Sequence, residues 1–345
     1  MKKAAPKPLR VLALMHKDLV PPEDVTGVDL AGAPWKMEYD IVRTLRALGH
    51  EVRMQKVDND LGVIRAARDE FKPHIAFNLL EGFDEVASYD HNVVAYLELL
   101  KLPYTGCNSK GLLLAREKSI SKKLLAYHHI PVPAFGIFPR GRKVKPAKRL
   151  VFPLFVKSLT LDASIGISQA SVVETEEKLA DRVAFIHDKI GTDALVERYI
   201  EGRELYVGVM GNFQLKVLPV WELLFAKMPE ETRNIATERL KWSLKYQKKH
   251  GIDSAEAKDL PAGAAERIQA LCKRVYRTLL LSGCARIDLR MTETGRAYVI
   301  EANPNPQLSH DEDFAQSAKK AGIGYEDLVQ RLLNLGLRWQ PDRLG

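Results

Sequence analysis

The amino-acid sequence predicts an α/β protein whose first third forms a doubly wound parallel sheet. Three apolar runs are typical of buried strands, and they lie at Leu9–Met15, Val52–Val57 and His74–Leu79. Helical patterns follow these runs in turn, at Pro34–Leu48, Leu61–Phe71 and Asn92–Leu100. Strands that alternate with helices of this length pair in parallel, and ligands bind beyond the carboxyl ends of such strands.

The first helix shows how local signals support this pattern. Pro34 suits the first turn of a helix, where a missing N–H leaves no hydrogen bond unmade. Ile41, Leu45 and Leu48 share one face, and Gly49 stands where helices commonly end in a left-handed residue.

The pattern changes near Asn108. A helix at Gly111–His128 is followed by a strand at Phe152–Ser158, the small-residue loop Leu159–Gly166, a strand at Ser168–Val173, a helix at Glu174–Ile190 and a strand from Ala194. The last part of the chain predicts strands at Glu204–Met210, Phe213–Val220, Cys284–Met291 and Arg296–Glu301, and helices at Pro261–Leu281, Phe314–Ala321 and Tyr325–Leu335. With 345 residues, the chain is long enough for two or three domains.

Composition excludes several classes of protein. Hydrophobic residues make up 46% of the chain and charged residues 28%, as in ordinary globular proteins and unlike disordered ones. Cys107, Cys272 and Cys284 have no metal-ligand spacing, and their odd count favours a reducing compartment. No apolar run reaches the roughly 18 residues of a membrane span, so we expect a cytoplasmic protein without a membrane partner.

The formal net charge of +8 raises the question of a nucleic-acid partner. The basic residues fall into short runs, such as Arg140–Lys145, without the interleaved aromatic residues of a base-stacking platform. A polyanionic small molecule such as ATP explains a positive potential equally well. We therefore expect no nucleic-acid partner.

The strongest candidate site lies near the C-terminal end. Arg286 and Asp288 are two residues apart on one predicted strand, and Glu301 and Asn303 end the next. Because strand residues two apart point to the same face, the hairpin brings two carboxylates and an amide beside an arginine. Mg²⁺ binds such oxygen ligands, and Arg286 would neutralise charge that develops on a transferred group. The alternative is an ion-pair ladder on a surface hairpin.

Phosphate binding is predicted for a lysine beside a flexible loop. The chain lacks both the GxxxxGK[ST] loop and a GxGxxG motif after a strand. Lys157 ends an apolar run, and a loop with Ser164 and Gly166 follows, which can close over a triphosphate through N–H groups and a hydroxyl. Lys118 is a further candidate, although a lone lysine on an apolar segment usually extends to solvent.

A third candidate segment is the hinge that runs from Glu197 to Glu204. Glu197 is predicted to accept from an adenine amino group and Glu204 from ribose hydroxyls, while the backbone around Tyr199 and Ile200 reads the base. Taken alone, the same segment is also typical of a polar turn.

Taken in order, these segments resemble the ATP-grasp superfamily, and within it the D-alanine–D-alanine ligase-like branch. The resemblance covers about residues 77–335. Its landmarks are Leu102-Pro103-Tyr104-Thr105-Gly106, Lys118, Phe155-Val156-Lys157, Ser164-Ile165-Gly166, Glu197-Arg198-Tyr199-Ile200, Glu204, Lys241-Trp242, Arg286-Ile287-Asp288 and Glu301-Ala302-Asn303-Pro304. It implies a parallel-sheet domain at 1–107 and two ATP-grasp domains, at 108–196 and 197–345, with ATP between them.

The resemblance also implies a role for each candidate residue. Lys118, Lys157 and Lys241 would contact phosphates, and Glu197, Tyr199, Ile200 and Glu204 would hold adenosine. Asp288, Glu301 and Asn303 would bind two Mg²⁺ ions, with Mn²⁺ as a possible substitute. Arg286, Lys241 and Ser164 would serve catalysis. The implied reaction phosphorylates a carboxylate, and an amine then displaces phosphate to give an amide.

The first-substrate half departs from the family. The glycine-rich GGxSxE signature is absent, and the corresponding stretch runs from His16 to Glu23. The family's HG dipeptide is Glu81-Gly82 here, its loop serine is Ala163 and the tyrosine partner of that serine is Trp242. Gln307 replaces a glycine of the oxyanion hole. These differences indicate a different acid or amine.

We therefore expect an ATP-dependent carboxylate–amine ligase that acts on amino-acid or small peptide-like substrates. Glu81 is the first candidate for a substrate ammonium, although a solvated loop explains it as well, and Gln307 and Ser309 are further candidate contacts. The alternatives are D-alanine–D-alanine ligase itself and, in another class, a non-catalytic nucleotide-binding or basic RNA-associated protein. Analogy with the family suggests a homodimer.

Overall fold

The computed structural model describes residues 7–144, 150–161, 164–229 and 232–340, without the side chains of Trp242 and Leu244. The strands are β1 Arg10–His16, β2 Glu51–Val57, β3 Ile75–Asn78, β4 Phe135–Phe138, β5 Leu154–Ser158, β6 Val172–Val173, β7 Ala194–Arg198, β8 Arg203–Met210, β9 Lys216–Phe225, β10 Ile252–Glu256, β11 Cys284–Met291 and β12 Ala297–Pro304. The helices are α1 Lys36–Ala47, α2 Gly62–Phe71, α3 Asp90–Leu99, α4 Ser109–Arg116, α5 Lys118–Tyr127, α6 Glu176–Phe185, α7 Glu238–Trp242, α8 Leu244–His250, α9 Ala264–Thr278, α10 Asp313–Lys320 and α11 Tyr325–Leu337. The position of Ala163 lies outside the described residues.

The first sheet is parallel, in the order β2-β1-β3. Alternate side chains of β1 enter two different cores: Leu12 packs with residues of α2 and α3, whereas Ala13 packs with residues of α1 and α11. Helices therefore cover both faces, which confirms the predicted doubly wound sheet. On the face of Ala13, helix α11 from the end of the chain packs beside α1.

The central sheet is antiparallel, in the order β4-β7-β5-β6. Leu154, Val156 and Val196 pack with Leu179 and Val183 of α6 in a core of their own. The opposite face carries Lys157 and Glu197, both buried. The buried charges of Lys157 and Glu197 therefore lie on the face opposite α6.

The C-terminal sheet is antiparallel, in the order β10-β9-β8-β11-β12. Ile287 and Leu289 of β11 lie in a core with residues of α9. The alternate residues Arg286, Asp288 and Arg290 therefore face the other way, toward the central sheet. Pairing of β11 with β12 sets Asp288 opposite Glu301 and Arg286 opposite Asn303, as the sequence predicts.

Two predicted elements need correction, and several elements were not predicted. The helix expected at Gly111–His128 is two helices, α4 and α5, because Glu117 leaves the helical conformation at ψ 82°. Of the strand expected at Ser168–Val173, only β6 forms, since Ser168 and Ser171 exchange hydrogen bonds across a 3₁₀ turn. The chain between β9 and α9 contains α7, α8 and β10, which the sequence analysis did not identify.

The predicted boundaries of the three domains remain a prediction. β7 extends through Glu197 to Arg198, so Glu197 pairs within the central sheet. Helices α4 and α5 contribute Leu112, Ala115 and Leu125 to the core shared by the first and last sheets. Cys107, Cys272 and Cys284 are buried, free thiols. No helix in the described ranges has both the length and the apolar character needed to cross a membrane.

Candidate active site

A cleft between the central and C-terminal sheets collects most of the candidate residues. Its lining includes Lys118, Lys157, Ser164, Glu197, Tyr199, Ile200, Glu204, Lys241, Asp288 and Glu301. These residues come from α5, β5, the following loop, β7, the hinge, β8, α7, β11 and β12. Segments distant in sequence therefore meet at one place, with cationic and anionic side chains on facing walls.

Asp288 is held by two neighbours on its own sheet. Arg286 donates to both of its oxygens, from Nε to Oδ1 at 2.8 Å and from Nη2 to Oδ2 at 2.9 Å. Asn303 donates from Nδ2 to Oδ2 at 2.9 Å, so its own Oδ1 remains turned away from Asp288. Burial raises the pKa of Asp288 and the Arg286 guanidinium opposes that effect. The cluster is pre-ordered around one carboxylate.

Glu301 lies where the cations converge. Burial opposes the ionisation of Glu301, but Lys157, Lys118 and Lys241 outweigh it and lower the pKa of this carboxyl to about 2. The Nζ of Lys157 is 3.8 Å from Oε2 of Glu301. About a quarter of the Glu301 side chain, 26%, is exposed to the cleft. The carboxylate is therefore ionised and accessible.

The donor chemistry of this corner fits a hard divalent cation. Asp288, Glu301 and Asn303 offer two carboxylates and an amide oxygen on one face, and Mg²⁺ binds such oxygen ligands together with water and phosphate oxygens. The mutual repulsion of Asp288 and Glu301 raises the pKa of Asp288, and a bound cation would relieve it. Glu301 and Asn303 also border a small side cavity next to Lys118.

Glu197 forms a buried triad with two lysines. Its carboxylate lies 2.5 Å from Nζ of Lys122 and 3.1 Å from Nζ of Lys157. Burial opposes ionisation of Glu197, but the two ammonium groups lower its pKa. Lys122 also donates to the carbonyl of Ile300 in β12 at 2.8 Å. Sequence reasoning missed Lys122, although its position one helical turn after Lys118 was a usable signal.

The hinge presents one free backbone donor to the cleft. The N–H groups of Arg198 and Tyr199 are taken by the carbonyls of Ala134 and Pro153, at 2.8 and 2.9 Å. The carbonyl of Ile200 accepts from Arg290. The N–H of Ile200 has no acceptor among the residues that the structure describes. Of the Arg198–Ile200 stretch, only this N–H is available to read a base.

The loop after β5 approaches α7 at the mouth of the cleft. Ser164 adopts a left-handed conformation at φ 61°. The N–H of Gly166 donates to Oε2 of Glu238 at 2.7 Å, and the N–H of Glu238 donates to the carbonyl of Ile167 at 3.0 Å. The Gly166 N–H is therefore engaged with α7 here. The loop and Lys241 of the same helix are positioned together.

The substrate candidates lie outside the lining of this cleft. Oε1 of Gln307 accepts from the backbone and the hydroxyl of Ser309, at 3.3 and 3.2 Å, so these two residues hold each other. Glu81 is exposed just after β3. Asp90, further along the chain, is buried and paired with Arg116 at 2.6 Å.

Sequence reasoning also missed Glu38, an unusual carboxyl group in the first turn of α1. It is 1% exposed, and neither of its oxygens has a hydrogen-bond partner among the described residues. Burial, reinforced by the charge of Glu81, raises the pKa of Glu38 to about 7. The adjacent Met37 contacts the backbone of Leu308, so this turn borders the segment of Gln307 and Ser309.

Comparisons with known proteins agree with this architecture. A family model described as "D-ala D-ala ligase C-terminus" matches residues 124–334. The D-alanine–D-alanine ligase of Desulforudis audaxviator is 33% identical over 300 residues, which cover 86% of this chain and 90% of the relative. The uncharacterized protein y4sG of Sinorhizobium fredii is 30% identical over 319 residues, which cover 88% of this chain and 89% of that one. A crystal structure of the Bacillus anthracis D-alanine–D-alanine ligase complexed with ATP has a TM-score of 0.72 at 22% identity, covering 96% of this chain and 98% of the other.

The fold is therefore the ATP-grasp fold, and the protein is an ATP-dependent carboxylate–amine ligase. More narrowly, the chain belongs to the family defined by the D-alanine–D-alanine ligase C-terminus.

Proposed function

We propose that the protein uses ATP to join a small-molecule carboxylate to the amine of an amino acid or small peptide. The observation that carries this proposal is a cleft in which Lys118, Lys157 and Lys241 meet Glu301, with Nζ of Lys157 3.8 Å from Oε2 of that carboxylate. Such a positive wall is suited to bind the polyphosphate and to stabilise the charge that moves during phosphoryl transfer.

The proposed chemistry has two displacements. A carboxylate oxygen of the first substrate attacks the γ-phosphorus, and the bond to the bridging oxygen of ADP breaks. The neutral amine of the second substrate then attacks the acyl carbon, phosphate leaves and the nitrogen loses a proton. Lys118, Lys157 and Lys241 hold the phosphates, and Ser164 belongs to the loop that excludes water from the acyl-phosphate.

Arg286 and the oxygen ligands serve the transferred group. Asp288, Glu301 and Asn303 would hold two Mg²⁺ ions, for which Mn²⁺ is a possible substitute, and the metal would neutralise phosphate charge. Arg286 lies against Asp288, and its guanidinium would neutralise charge on the oxygens of the transferred phosphoryl group. Glu197, Tyr199, Ile200 and Glu204 would hold adenosine.

The names of the relatives favour amino acids as substrates of this protein. The Desulforudis protein is named for D-alanine, so a pair of D-alanines is the first combination to test. The rewritten stretch from His16 to Glu23, and Glu81 and Gln307, favour a different acid or amine. The charge of Glu81 contributes to the raised pKa of Glu38, and a substrate ammonium nearby would lower that pKa by stabilising the ionised carboxyl. A homodimer in the cytoplasm remains part of the proposal by family analogy.

A screen of amino-acid pairs for ADP release tests the function. Wild-type protein should release ADP with at least one pair, and Asp288→Asn should lower kcat by about a hundredfold or more, because one metal ligand loses its charge. Asp253→Asn, an exposed change on β10, is the matched control and should leave kcat unchanged. Equal turnover of the Asp288 and Asp253 variants would refute the assigned site. Binding of RNA without any ADP release would instead favour the non-catalytic alternative.

Glu81→Gln tests the ammonium contact separately. If Glu81 faces the substrate ammonium, the Michaelis constant for the amino substrate rises while that for ATP is unchanged. An unaltered Michaelis constant for the amino substrate rules out this contact.

A further inference from the structure

Arg290 is a buried guanidinium whose contacts reach several walls of the nucleotide cleft. It projects from the same face of β11 as Asp288, and its exposed fraction is 6%. It donates to the carbonyl of Ile200 at 3.1 Å and to the carbonyl of Asn234 at 2.7 Å. A third hydrogen bond, at 3.2 Å, reaches the hydroxyl of Tyr199. One side chain thus ties the hinge to the segment that leads into α7.

Glu204 is the fourth acceptor of Arg290. The two residues are direct cross-strand neighbours, and Nη1 of Arg290 donates to Oε2 of Glu204 at 3.1 Å. The other oxygen, Oε1, accepts from the hydroxyl of Tyr206 at 2.9 Å. Two fixed donors restrict the carboxylate to one orientation, while each oxygen keeps a lone pair for another donor.

We propose that Arg290 is a positioning residue that makes the site selective for a ribonucleotide. This inference rests on the proposed placement of adenosine at Glu197 and Glu204. Arg290 fixes the Glu204 carboxylate where ribose hydroxyls donate to it, and it fixes the hinge that reads the base. A buried acceptor built for a hydroxyl rejects an analogue that lacks it, because the acceptor is then left unpaired.

The same sheet supplies a matched ion pair that lacks this role. Arg203, adjacent to Glu204 on β8, donates to both oxygens of Glu222, at 2.7 and 2.5 Å. It also donates to the carbonyls of Lys258 and Asp259, so, like Arg290, it binds one carboxylate and two backbone carbonyls. Arg203 does not line the nucleotide cleft. A purely structural role for Arg290 would make the two arginines equivalent.

Calorimetric titration with ATP, 2′-deoxy-ATP and 3′-deoxy-ATP in the presence of Mg²⁺ tests the inference without any acceptor substrate. Wild-type protein should bind at least one deoxy analogue about tenfold more weakly than ATP, the effect of one charge-assisted hydrogen bond. In Arg290→Met and Arg290→Lys, that ratio should fall to about twofold or less, and ATP should bind about tenfold more weakly. Arg203→Met should keep the wild-type ratio, and thermal melting verifies that each variant is folded.

Three results would overturn the inference: equal binding of all three nucleotides by the wild type, a wild-type ratio in folded Arg290→Met, or an equal loss in Arg203→Met. If neither Arg290 variant folds, Glu204→Gln decides, because it keeps the volume of the side chain and should lose the discrimination. Retention of the ratio in that variant also overturns the inference. If the protein distinguishes ATP from the deoxy analogues but turns over no acid and amine, the proposed substrates are refuted and the role of Arg290 is unaffected.

Discussion

At the scale of single residues, the Glu197 triad shows how charge is kept inside the protein. The Glu197 side chain is 4% exposed and that of Lys122 is 3% exposed. Burial lowers the pKa of Lys122, Glu197 opposes that effect, and Lys157 adds to it. The carboxylate is thus a counter-charge shared by two buried ammonium groups, and its loss removes that charge from both.

Glu197→Gln should therefore lower the free energy of unfolding of the ligand-free protein by about 3–5 kcal/mol. Urea denaturation at pH 7 measures the difference. Glu201→Gln is the control, because Glu201 is an exposed residue of the same hinge, and it should change stability by less than about 0.5 kcal/mol. A Glu197 variant as stable as the Glu201 variant would show that the lysines find other partners.

Glu38 makes stability depend on pH in the opposite direction from a paired carboxylate. The pKa of Glu38 is about 7 in the folded protein, against an ordinary value of 4.5. The folded state holds this proton more tightly than the unfolded state, so the protonated side chain costs nothing extra at acidic pH. As the pH rises from about 4.5 to about 7, Glu38 destabilises the fold progressively.

Glu38→Gln should raise the free energy of unfolding relative to wild type, and this gain should be roughly 2–3 kcal/mol larger at pH 8 than at pH 5. The size follows because one pKa unit corresponds to about 1.4 kcal/mol. Urea denaturation of both proteins at the two pH values gives this difference. The exposed Glu23→Gln should show no such gain. A gain that does not grow with pH would mean that Glu38 is already neutralised by a partner.

Side-chain alternation predicted part of the site, and long-range contacts decided the rest. Arg286, Asp288 and Asn303 could be predicted because strand periodicity and one tight turn place them together. Arg290 was missed because its acceptors Ile200 and Glu204 lie 90 and 86 residues away. Strand alternation places Arg290 on the face of Asp288, but it does not show which distant acceptors the guanidinium meets.

At the scale of elements, the loop after β5 and the helix α7 act as one unit. The hydrogen bond from Gly166 to Glu238 and the return bond from Glu238 to Ile167 join them. Each carries a candidate group, Ser164 on the loop and Lys241 on the helix. The sequence predicted the loop but missed α7, a helix of five residues that is too short for a periodic pattern.

Glu238→Ala should loosen this closure and raise the Michaelis constant for ATP about two- to fivefold, because a partly exposed hydrogen bond contributes about 0.5–1 kcal/mol. Steady-state ADP release with saturating acceptors measures it. Glu177→Ala is matched, since it also removes an exposed acid from the first turn of a helix, here α6. If both variants behave alike, helix-terminal charge rather than loop contact explains the effect.

At the scale of the whole molecule, the first and last parts of the chain share one hydrophobic core. Ala13 and Ile41 of the first domain share a core with Met210 of β8 and Leu328 of α11. The alternating pattern of strands and helices predicted the first sheet. It gave no sign that a helix more than 300 residues later covers one face, because apolar periodicity shows that a face is buried but not against what.

Gly336 measures how closely that last helix is joined to the first domain. It lies in α11, and a Cβ there would be 2.2 Å from the carbonyl oxygen of Tyr104 and 2.8 Å from Cδ1 of Ile75. Gly336→Ala should therefore cost about 1–3 kcal/mol of unfolding free energy, although alanine favours the helix by about 1 kcal/mol. Gly324→Ala, at the N-cap of the same helix with nothing within 4 Å of its Cβ, should cost less than about 1 kcal/mol, the effect of an alanine at the cap. Because the two domains share a core, Gly336→Ala should shift a single unfolding transition, followed by both circular dichroism and tryptophan fluorescence. An early transition confined to part of the chain would show that the first domain unfolds independently of the ATP-grasp sheets.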